Sequence, residues 1–299
     1  MALARHRALD AIAAWLRCPV CAAPVLAGED QVRCERGHSF DIARQGYVSL
    51  TSGRGGPGTG DSAGMVLARG RFLGAGHYRP LAAAVAGLAA ALDPGGPGMV
   101  LDLAGGTGYY LSGVLDALPY RVGACLDLSA PALRRAARAH PRAAALGADA
   151  WQPLPLADGA AALALSVFGP RNAAEIRRVL APGGALIVAT PGADHLGQLR
   201  RSLGLIGIDE RKAERLADAF RDYTRVAQRA VRYELSLGHA DLTDLVAMGP
   251  NARHIGPDDL AGRVAALPEP VTVTVDAEVR GYRDTSTTEL STYRRIMGA

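Results

Sequence analysis

The stretch "VLDLAGGTGYYLSGVL", residues 100–115, decides the fold of this 299-residue chain. An apolar strand runs up to Asp102, a turn rich in glycine follows, and a helix is predicted to begin near Gly108. Glycine is required where the backbone must turn through unusual dihedral angles or approach a ligand closely. A strand, a glycine turn and a helix in this order predict a cofactor site at the end of the strand. Two cofactor classes use this arrangement, dinucleotides and S-adenosylmethionine.

The turn itself separates these two classes. The dinucleotide fingerprint G-x-G-x-x-G/A requires a third small residue, which allows close helix–strand packing beside the pyrophosphate. Gly106 and Gly108 supply the first two positions, but Leu111 occupies the third. Asp102 adds a negative charge, which suits the ammonium and sulfonium groups of S-adenosylmethionine better than a pyrophosphate. The pattern therefore favours the methyl donor, with Asp102, Gly106 and Gly108 as candidate cofactor residues.

Two further acidic residues end the next two predicted strands. Asp127, in "ACLDLS", stands at a distance along the chain that suits binding of ribose hydroxyls. Asp149, in "GADAW", ends the following strand and can reach the edge of an adenine. Each carboxylate taken alone has another interpretation, as a helix cap or a solvated surface group. Together, three acidic residues at the ends of three successive strands outline an adenosine-shaped site.

Strands and helices alternate through this region. Apolar strands are predicted at 98–104, 121–127, 143–148, 161–168 and 184–190, and helices at 108–118, 130–140 and 172–180. Such alternation predicts a parallel sheet covered on both faces. The remaining predicted elements are a helical segment at 62–92 divided near Gly74 and Gly76, an arginine-rich amphipathic helix in "RKAERLADAFRDYTRVAQ" (211–228), strands at 230–237 and 270–282, and a helix at 241–248. The sequence thus predicts an α/β, Rossmann-like fold with a mostly parallel, seven-stranded sheet.

A second motif lies near the N-terminus. In "CPVCAAPVLAGEDQVRCERGH", residues 18–38, the spacing is C-x2-C, twelve residues, then C-x3-H. Two close pairs of such ligands match a tetrahedral Zn²⁺ site, so Cys18, Cys21, Cys34 and His38 are candidate ligands. Disulfides would leave one of these three cysteines unpaired and give no reason for the histidine; iron is the alternative metal. Four protein ligands leave no open position for water, so a structural zinc is predicted rather than a catalytic one.

Composition divides the chain into three parts. Residues 1–50 are predicted to form the zinc module, the Gly- and Pro-rich "TSGRGGPGTGD" (51–61) a flexible linker, and 62–299 the methyltransferase domain. The formal net charge is +4, and Lys212 is the only lysine, so nearly every positive charge is an arginine. A GC-rich genome explains that bias without any function. Arginine also binds phosphate in bidentate fashion, and a nucleic-acid partner is therefore compatible with the composition.

No apolar run is long enough to cross a bilayer, so no membrane association is expected. The N-terminal "MALARHRALDAIAAWLRCPVC" has a short apolar stretch, interrupted by Asp10, that leads into the metal motif rather than a cleavage site. A helix that leads into the zinc module is the better interpretation. A cytoplasmic location is expected.

Several stretches together resemble one known family. They are "CPVC…CERGHSFDIARQGYVSL", "GDSAGMVLARGRFLGAGHYRPL" (60–81), the glycine turn, and "LAPGGALIVATPGADHL" (180–196). The segments "GHSFDIARQGYVSL" and "FLGAGHYRPL" are not general methyltransferase features. The chain is similar along most of its length to the large-subunit (23S) rRNA guanine-N1 methyltransferases, which are class I (Rossmann-like) methyltransferases with an N-terminal zinc knuckle. One branch of that family acts at nucleotide 745; the other acts at nucleotide 748 and includes tylosin-resistance enzymes.

The resemblance implies a set of roles. It implies that Cys18, Cys21, Cys34 and His38 bind zinc, and that Tyr78, Gly106, Thr107 and His195 contact S-adenosylmethionine. It further implies methylation of guanine N1 in a 23S rRNA stem-loop, with nucleotide 748 as the favoured target and nucleotide 745 as the alternative. A contribution to macrolide resistance and a homodimeric assembly are also implied. One residue departs from the methyltransferase pattern. Ala104 stands where the first loop glycine is usual, and a tighter turn is expected there.

The acceptor side is less defined. The loop "SVFGPRN", residues 166–172, follows the fourth strand, where class I methyltransferases present the target base. Arg171 and Asn172 are the polar candidates for a catalytic role, although a helix cap explains Asn172 equally well. No general base is identified. Two other classes stay open: a methyltransferase for small molecules, which would turn over without RNA, and a zinc protein that binds nucleic acid without catalysis, which would not bind the methyl donor.

Overall fold

The structure is a computed structural model that describes residues 6–51, 60–205 and 220–285. Its strands, numbered along the chain, are β1 Val25–Ala27, β2 Gln31–Cys34, β3 Ser39–Asp41, β4 Tyr47–Ser49, β5 Met99–Leu103, β6 Gly123–Asp127, β7 Ala143–Gly147, β8 Ala161–Val167, β9 Leu180–Pro191, β10 Tyr223–Leu237 and β11 Val271–Asp284. Its helices are α1 Arg7–Ile12, α2 Ala63–Gly74, α3 Arg79–Leu92, α4 Tyr109–Ala117, α5 Ala130–Ala136, α6 Ala173–Val179, α7 Gly197–Leu203, α8 His239–Ala247 and α9 Pro257–Ala265.

The main sheet has the strand order β10-β11-β9-β8-β5-β6-β7-β4. The six strands from β9 to β4 pair in parallel, whereas β11 pairs with β9, and β10 with β11, in antiparallel fashion. From β5 the chain proceeds to β6 and β7 on one side and then returns to β8 on the other. In such a sheet the reversal beside β5 opens a crevice at the carboxyl ends of the strands, where ligands bind. The predicted α/β fold with a mostly parallel sheet is confirmed.

Burial explains why these segments form central strands. All five residues of β5 are buried, as are all five of β7. Parallel strands are apolar throughout because both faces of the sheet are covered. One core contains residues of α3, α4 and α8, and a second core contains residues of α1 and α6. Each large apolar side chain contributes about 1.5–3 kcal/mol when it is fully buried, so the two cores fix the sheet edge on which the site is built.

The described residues form eight strands in the main sheet, not the seven predicted. Seven come from residues after the Gly- and Pro-rich segment, and the eighth, β4, comes from the N-terminal residues and pairs in parallel with β7. The N-terminal residues also share a core with the sheet, in which Ile12 and Leu16 accompany Leu126 and Leu146. Sequence pattern does not indicate this pairing because β4 is only three residues long. Folding units that divide at residues 50 and 61 stay a prediction.

Most predicted elements are found within a few residues of their predicted bounds, and the helical segment 62–92 is divided into α2 and α3 as expected. One prediction is wrong in part. The helix proposed for 211–228 overlaps β10, which begins at Tyr223; residues 211–219 lie outside the described residues. Tyr223, Thr224 and Val226 favour extended structure, and pairing with β11 decides the outcome over the helical spacing of the arginines.

Residues 52–59 of the predicted linker also lie outside the described residues. Where the description resumes, Ser62 accepts a hydrogen bond from the backbone N–H of Met65, at 3.2 Å, and begins α2. Within the described ranges, no helix combines the length and apolarity that a bilayer-spanning segment needs.

Candidate functional site

The glycine turn after β5 has left-handed backbone angles at three positions. Ala104, Gly106 and Gly108 all have positive φ angles, of 52°, 59° and 78°. Ala104 thus adopts the left-handed conformation that favours glycine, and its methyl group is accommodated with local strain. At Gly105 the constraint is space, because a Cβ there would lie 2.5 Å from Asp102 Oδ2.

One cavity of about 720 Å³ opens beside this turn. Its walls come from the strand ends, from α2 and from the residues around α8. The structure brings seven of the predicted cofactor residues together around this cavity: Tyr78, Asp102, Gly106, Thr107, Asp127, Asp149 and His195. Gly108 is not part of the lining; it caps α4 and packs closely against Ala136 and Ala139. The volume is in the range that holds a cofactor-sized ligand.

Asp102 is the most unusual group in the cavity wall. Its side chain is buried, and neither carboxylate oxygen has a hydrogen-bond partner of ordinary length in the described residues. Burial raises the pKa of Asp102 to about 8, the neighbouring carboxylate of Asp127 adds to the rise, and the Leu111 amide opposes it. The thiol of Cys125 and the hydroxyl of Tyr110 also face Asp102. A buried carboxylate without a partner calls for a cation.

Asp127 is held ready at the end of β6. Its Oδ2 accepts the backbone N–H of Gly106 at 2.9 Å, and its Oδ1 accepts that of Ser129 at 2.8 Å. Burial raises the pKa of Asp127, and these two hydrogen bonds oppose the rise. Each oxygen keeps further acceptor capacity. Asp149 follows β7, and its Oδ1 accepts the backbone N–H of Trp151 at 2.9 Å.

Tyr78 and His195 contribute their rings to the cavity lining. Their ring centroids lie 6.4 Å apart, and Phe168 lies 5.6 Å from His195. Nδ1 of His195 accepts the backbone N–H of Asp276 at 3.3 Å. Burial lowers the pKa of His195 to about 4, so the ring is neutral at pH 7 and carries its proton on Nε2. His195 is therefore a hydrogen-bond donor to whatever occupies the cavity.

Sequence reasoning missed Arg69, which lies directly over the glycine turn. Its guanidinium forms an ion pair with Asp61, and its Nη2 donates to the backbone carbonyl of Met248 at 2.7 Å. A Cβ on Gly106 would lie 3.0 Å from its Nη1. Arg69 thereby fastens α2, the segment before it and the end of α8 around one side of the cavity. A signal was present in the sequence, because this arginine interrupts an apolar stripe on α2, midway between buried residues four positions before and after it.

The two catalytic candidates are placed away from the cavity lining. Asn172 caps α6 by accepting the backbone N–H of Glu175 at 3.3 Å, and its Nδ2 donates to the backbone carbonyl of Trp151 at 3.1 Å. The guanidinium of Arg171 lies near Arg280 and Tyr282 of β11, and burial lowers its pKa. Neither side chain contacts the cavity in this structure, so their catalytic role stays an untested hypothesis.

The four predicted metal ligands converge at the N-terminal sheet β1-β2-β3. The ligand atoms of Cys18, Cys21, Cys34 and His38 all lie within 4.8 Å of one another. His38 Nδ1 is 3.6 Å from Cys18 Sγ and 3.4 Å from Cys34 Sγ, and the sulfurs of Cys21 and Cys34 are 3.8 Å apart. Zn–S bonds of about 2.3 Å at tetrahedral angles place two sulfurs about 3.8 Å apart. The donor set and its spacing therefore fit a closed tetrahedral zinc.

Both the N-terminal ribbon and the chain as a whole are similar to known proteins. The family model described as "RlmA, N-terminal", a zinc ribbon, matches residues 16–51. A 23S rRNA (guanine(748)-N(1))-methyltransferase of Streptomyces fradiae is 50% identical over 256 residues, which are 85% of this chain and 91% of that protein. A Micromonospora griseorubida protein, provisionally named 23S rRNA (guanine-N(1)-)-methyltransferase, is 49% identical over 286 residues, 90% of this chain and 97% of that protein.

The chain belongs to the family of 23S rRNA guanine-N1 methyltransferases. The resemblance inferred from the sequence is thus confirmed. Identity at this level extends along nearly the whole chain and includes both the zinc ribbon and the domain that holds the cavity.

The cavity residues fit S-adenosylmethionine, the donor expected in such a family. The unpartnered carboxylate of Asp102 suits the ammonium of the donor, and the remaining acceptor capacity of Asp127 suits two ribose hydroxyls. The Nε2–H of His195 suits the carboxylate of the donor. Among the described lining residues, none places a buried positive charge next to Asp102, where it would repel the ammonium.

The zinc centre generates the first prediction. We expect Cys34→Ala to bind no zinc and to lower the thermal midpoint of the whole protein, because the N-terminal residues share a core with the sheet. Zinc content by elemental analysis and unfolding by circular dichroism give the two readouts. Cys125→Ala, which removes the one cysteine outside the ligand cluster, on β6, is the control and should keep its zinc. Retention of zinc by Cys34→Ala would contradict this assignment.

Asp102 generates the second prediction. Because its pKa is raised to about 8 in the free protein, the carboxyl group is protonated at pH 6.5 and must lose a proton when an ammonium binds. We expect affinity for S-adenosylhomocysteine, which carries the same ammonium, to fall by up to about tenfold per pH unit below pH 8. Asp102→Asn should bind more weakly and show a flatter pH profile.

Calorimetry at pH 7 in two buffers of different ionisation enthalpy measures this proton release directly. Release of close to one proton per ligand by the parent, and of clearly less by Asp102→Asn, is the expected result. Equal release by both proteins would show that another group is responsible.

Proposed function

We propose that this protein transfers the methyl group of S-adenosylmethionine to N1 of a guanine in 23S rRNA. The observation that carries the proposal is the single cavity that gathers Asp102, Asp127 and Asp149, in a chain half identical to the Streptomyces fradiae enzyme. That enzyme is named for nucleotide 748, which makes the corresponding guanine the favoured target here. Methylation at that position supports a further proposal, that the protein contributes to resistance against macrolides such as tylosin.

Each strand-end residue has a distinct task in this proposal. Asp102 holds the ammonium of the donor, Asp127 the ribose hydroxyls and Asp149 the adenine edge, while Nε2–H of His195 binds the carboxylate. When bound, the donor supplies an electrophilic methyl group. The protein contributes chiefly by orientation, since holding two reactants in line replaces an unfavourable bimolecular encounter.

The acceptor needs help that the donor residues do not give. Guanine N1 carries a proton and is a weak nucleophile until that proton leaves or negative charge on the neighbouring oxygen is stabilised. His195 is unsuited as the base, because Nδ1 already accepts the Asp276 amide and Nε2 carries the proton. The rings of Tyr109, Tyr110 and Phe168 line the cavity and provide apolar surface for a base that is turned out of its stack.

The zinc ribbon supplies a surface for RNA rather than a reactive metal. The side chains of Arg33, Arg36 and Arg44 are exposed, and none of them forms a hydrogen bond or ion pair within the described ranges. Arg33 lies on β2, Arg36 in the turn between Cys34 and His38, and Arg44 in the loop between β3 and β4. We infer that these three guanidinium groups contact RNA phosphates while the cavity receives the target base.

Two further parts of the proposal concern the assembly and its location. The family resemblance supports a homodimer, in which two chains grip one RNA. The proposed rRNA substrate supports a cytoplasmic location, where ribosomes are assembled. Sedimentation of the purified protein tests the first of these directly.

The third prediction tests the function itself. Incubation of the parent protein with labelled S-adenosylmethionine and a 23S rRNA hairpin that carries nucleotide 748 should label one guanine at N1, which then blocks reverse transcription. Asp127→Asn should lower donor affinity by about 10- to 150-fold, since it weakens charge-assisted hydrogen bonds to ribose worth roughly 1.5–3 kcal/mol. Labelling of a small molecule but of no RNA would refute the proposal and favour a small-molecule methyltransferase.

The fourth prediction tests the zinc ribbon surface. A variant with Arg33, Arg36 and Arg44 changed to Gln should keep zinc and donor affinity but bind the hairpin weakly. Its log–log salt dependence should be shallower by about 0.7–0.9 per lost phosphate contact. The matched control changes the same number of exposed arginines, Arg134, Arg135 and Arg138, on and after α5. If both triple variants bind and methylate RNA as the parent does, the ribbon has no recognition role.

A further inference from the structure

Trp151 stands at the rim of the donor cavity with most of its surface in solvent. The residue is 61% exposed and nevertheless belongs to the cavity lining. The chain has only one other tryptophan, Trp15, which is partly buried against the shared core. An exposed indole costs free energy in water, so its position at the mouth of a proposed active site suggests a ligand that covers it.

The backbone around Trp151 is fixed, so the exposure of the ring is not the result of a loose loop. The backbone N–H of Trp151 donates to Asp149 Oδ1 at 2.9 Å, and its backbone carbonyl accepts from Asn172 Nδ2 at 3.1 Å. Three residues later, the N–H of Leu154 donates to Glu175 Oε2 at 2.7 Å. Residues 149–154 are thereby fastened to the start of α6. The polar side chain of Asn172, considered from the sequence as a catalytic candidate, here positions the tryptophan.

The segment that follows Trp151 lies next to the zinc ribbon. A second cavity, of about 110 Å³, lies between the residues that follow Trp151 and the ribbon residue Pro19. It shares Leu128, Ala148 and Asp149 with the main cavity, so the two cavities lie side by side. The zinc ribbon therefore adjoins the rim that carries Trp151.

We propose that Trp151 is a stacking platform for an unpaired nucleobase that neighbours the target guanine. The inference rests on the proposed function, because it places RNA at the donor cavity. Sequence-specific RNA recognition relies on splayed bases that stack on aromatic side chains. Stacking accepts any base, so Trp151 would hold the strand in register for transfer while other contacts select the guanine.

The other possible occupant of this ring is the adenine of the methyl donor. The positions of Asp127 and Asp149 place adenine between the ends of β6 and β7, where Leu128 and Ala150 already provide apolar walls. A base from the RNA uses the part of the indole that remains in solvent. If adenine stacks on Trp151, the donor product alone should change the environment of the indole. If an RNA base stacks there, only RNA should do so.

The experiment compares Trp151→Ala and Trp151→Phe with the parent on the 23S rRNA hairpin that carries nucleotide 748. We expect Trp151→Ala to raise the KM for RNA roughly 5- to 150-fold, the range for loss of one stacked base, and Trp151→Phe to restore most of it. Affinity for S-adenosylhomocysteine should not change. Tyr120→Ala is the matched control, since Tyr120 is 66% exposed but follows α4 at the opposite edge of the sheet.

A second measurement follows fluorescence of a Trp15→Phe variant, in which Trp151 is the remaining tryptophan. Quenching by the hairpin but not by S-adenosylhomocysteine alone supports stacking on RNA. If Trp151→Ala methylates with the KM of the parent, or if S-adenosylhomocysteine alone quenches and its affinity falls in Trp151→Ala, the proposal is overturned. If the hairpin quenches Trp151 but the parent methylates no guanine, the stacking inference holds and only the proposed function fails.

Discussion

A carboxylate closed beneath a glycine turn, with no partner of its own, sets the conditions for the rest of this site. Asp102 is the next-to-last residue of β5, both of its oxygens are buried, and only glycine fits at position 105. Ionisation of such a group is unfavourable unless a cation binds next to it, so this position in the free protein favours a positively charged ligand. The ammonium of a methyl donor supplies such a positive charge, whereas a pyrophosphate would add further negative charge beside Asp102 and Asp127.

The pairing of strands explains where the zinc ribbon lies on the main sheet. β4 pairs with β7, and β7 leads directly into Asp149. The three residues of β4 therefore connect the metal-bound N-terminal residues to the strand whose end belongs to the donor cavity. A zinc with four protein ligands performs no chemistry, but it fixes the turns that present Arg33 and Arg36. In this arrangement the zinc ribbon is attached through β4 to the strand beside the cavity.

The parts of this structure that the sequence predicts are those whose cause is local. A turn such as 104–108 requires glycine-like backbone angles whatever packs around it, and a C-x2-C pair must fold back on itself to bind metal. The parts that the sequence does not predict depend on distant partners. The short strand β4 is stabilised by its pairing with β7, and residues 223–228 are extended because β11 pairs with them. For Asn172 the sequence already offered a helix cap, which the structure shows, but its second hydrogen bond, to the Trp151 carbonyl, depends on a distant partner.

The most direct test of the central claim compares two ligands that differ only in the ammonium group. The parent protein and Asp102→Asn are titrated calorimetrically, above pH 8, with S-adenosylhomocysteine and with its analogue that lacks the amino group. The parent should bind S-adenosylhomocysteine much more tightly than the analogue, and Asp102→Asn should lose most of that preference. An equal preference in both proteins would contradict the account, because the ammonium would then be recognised by some group other than the buried carboxylate.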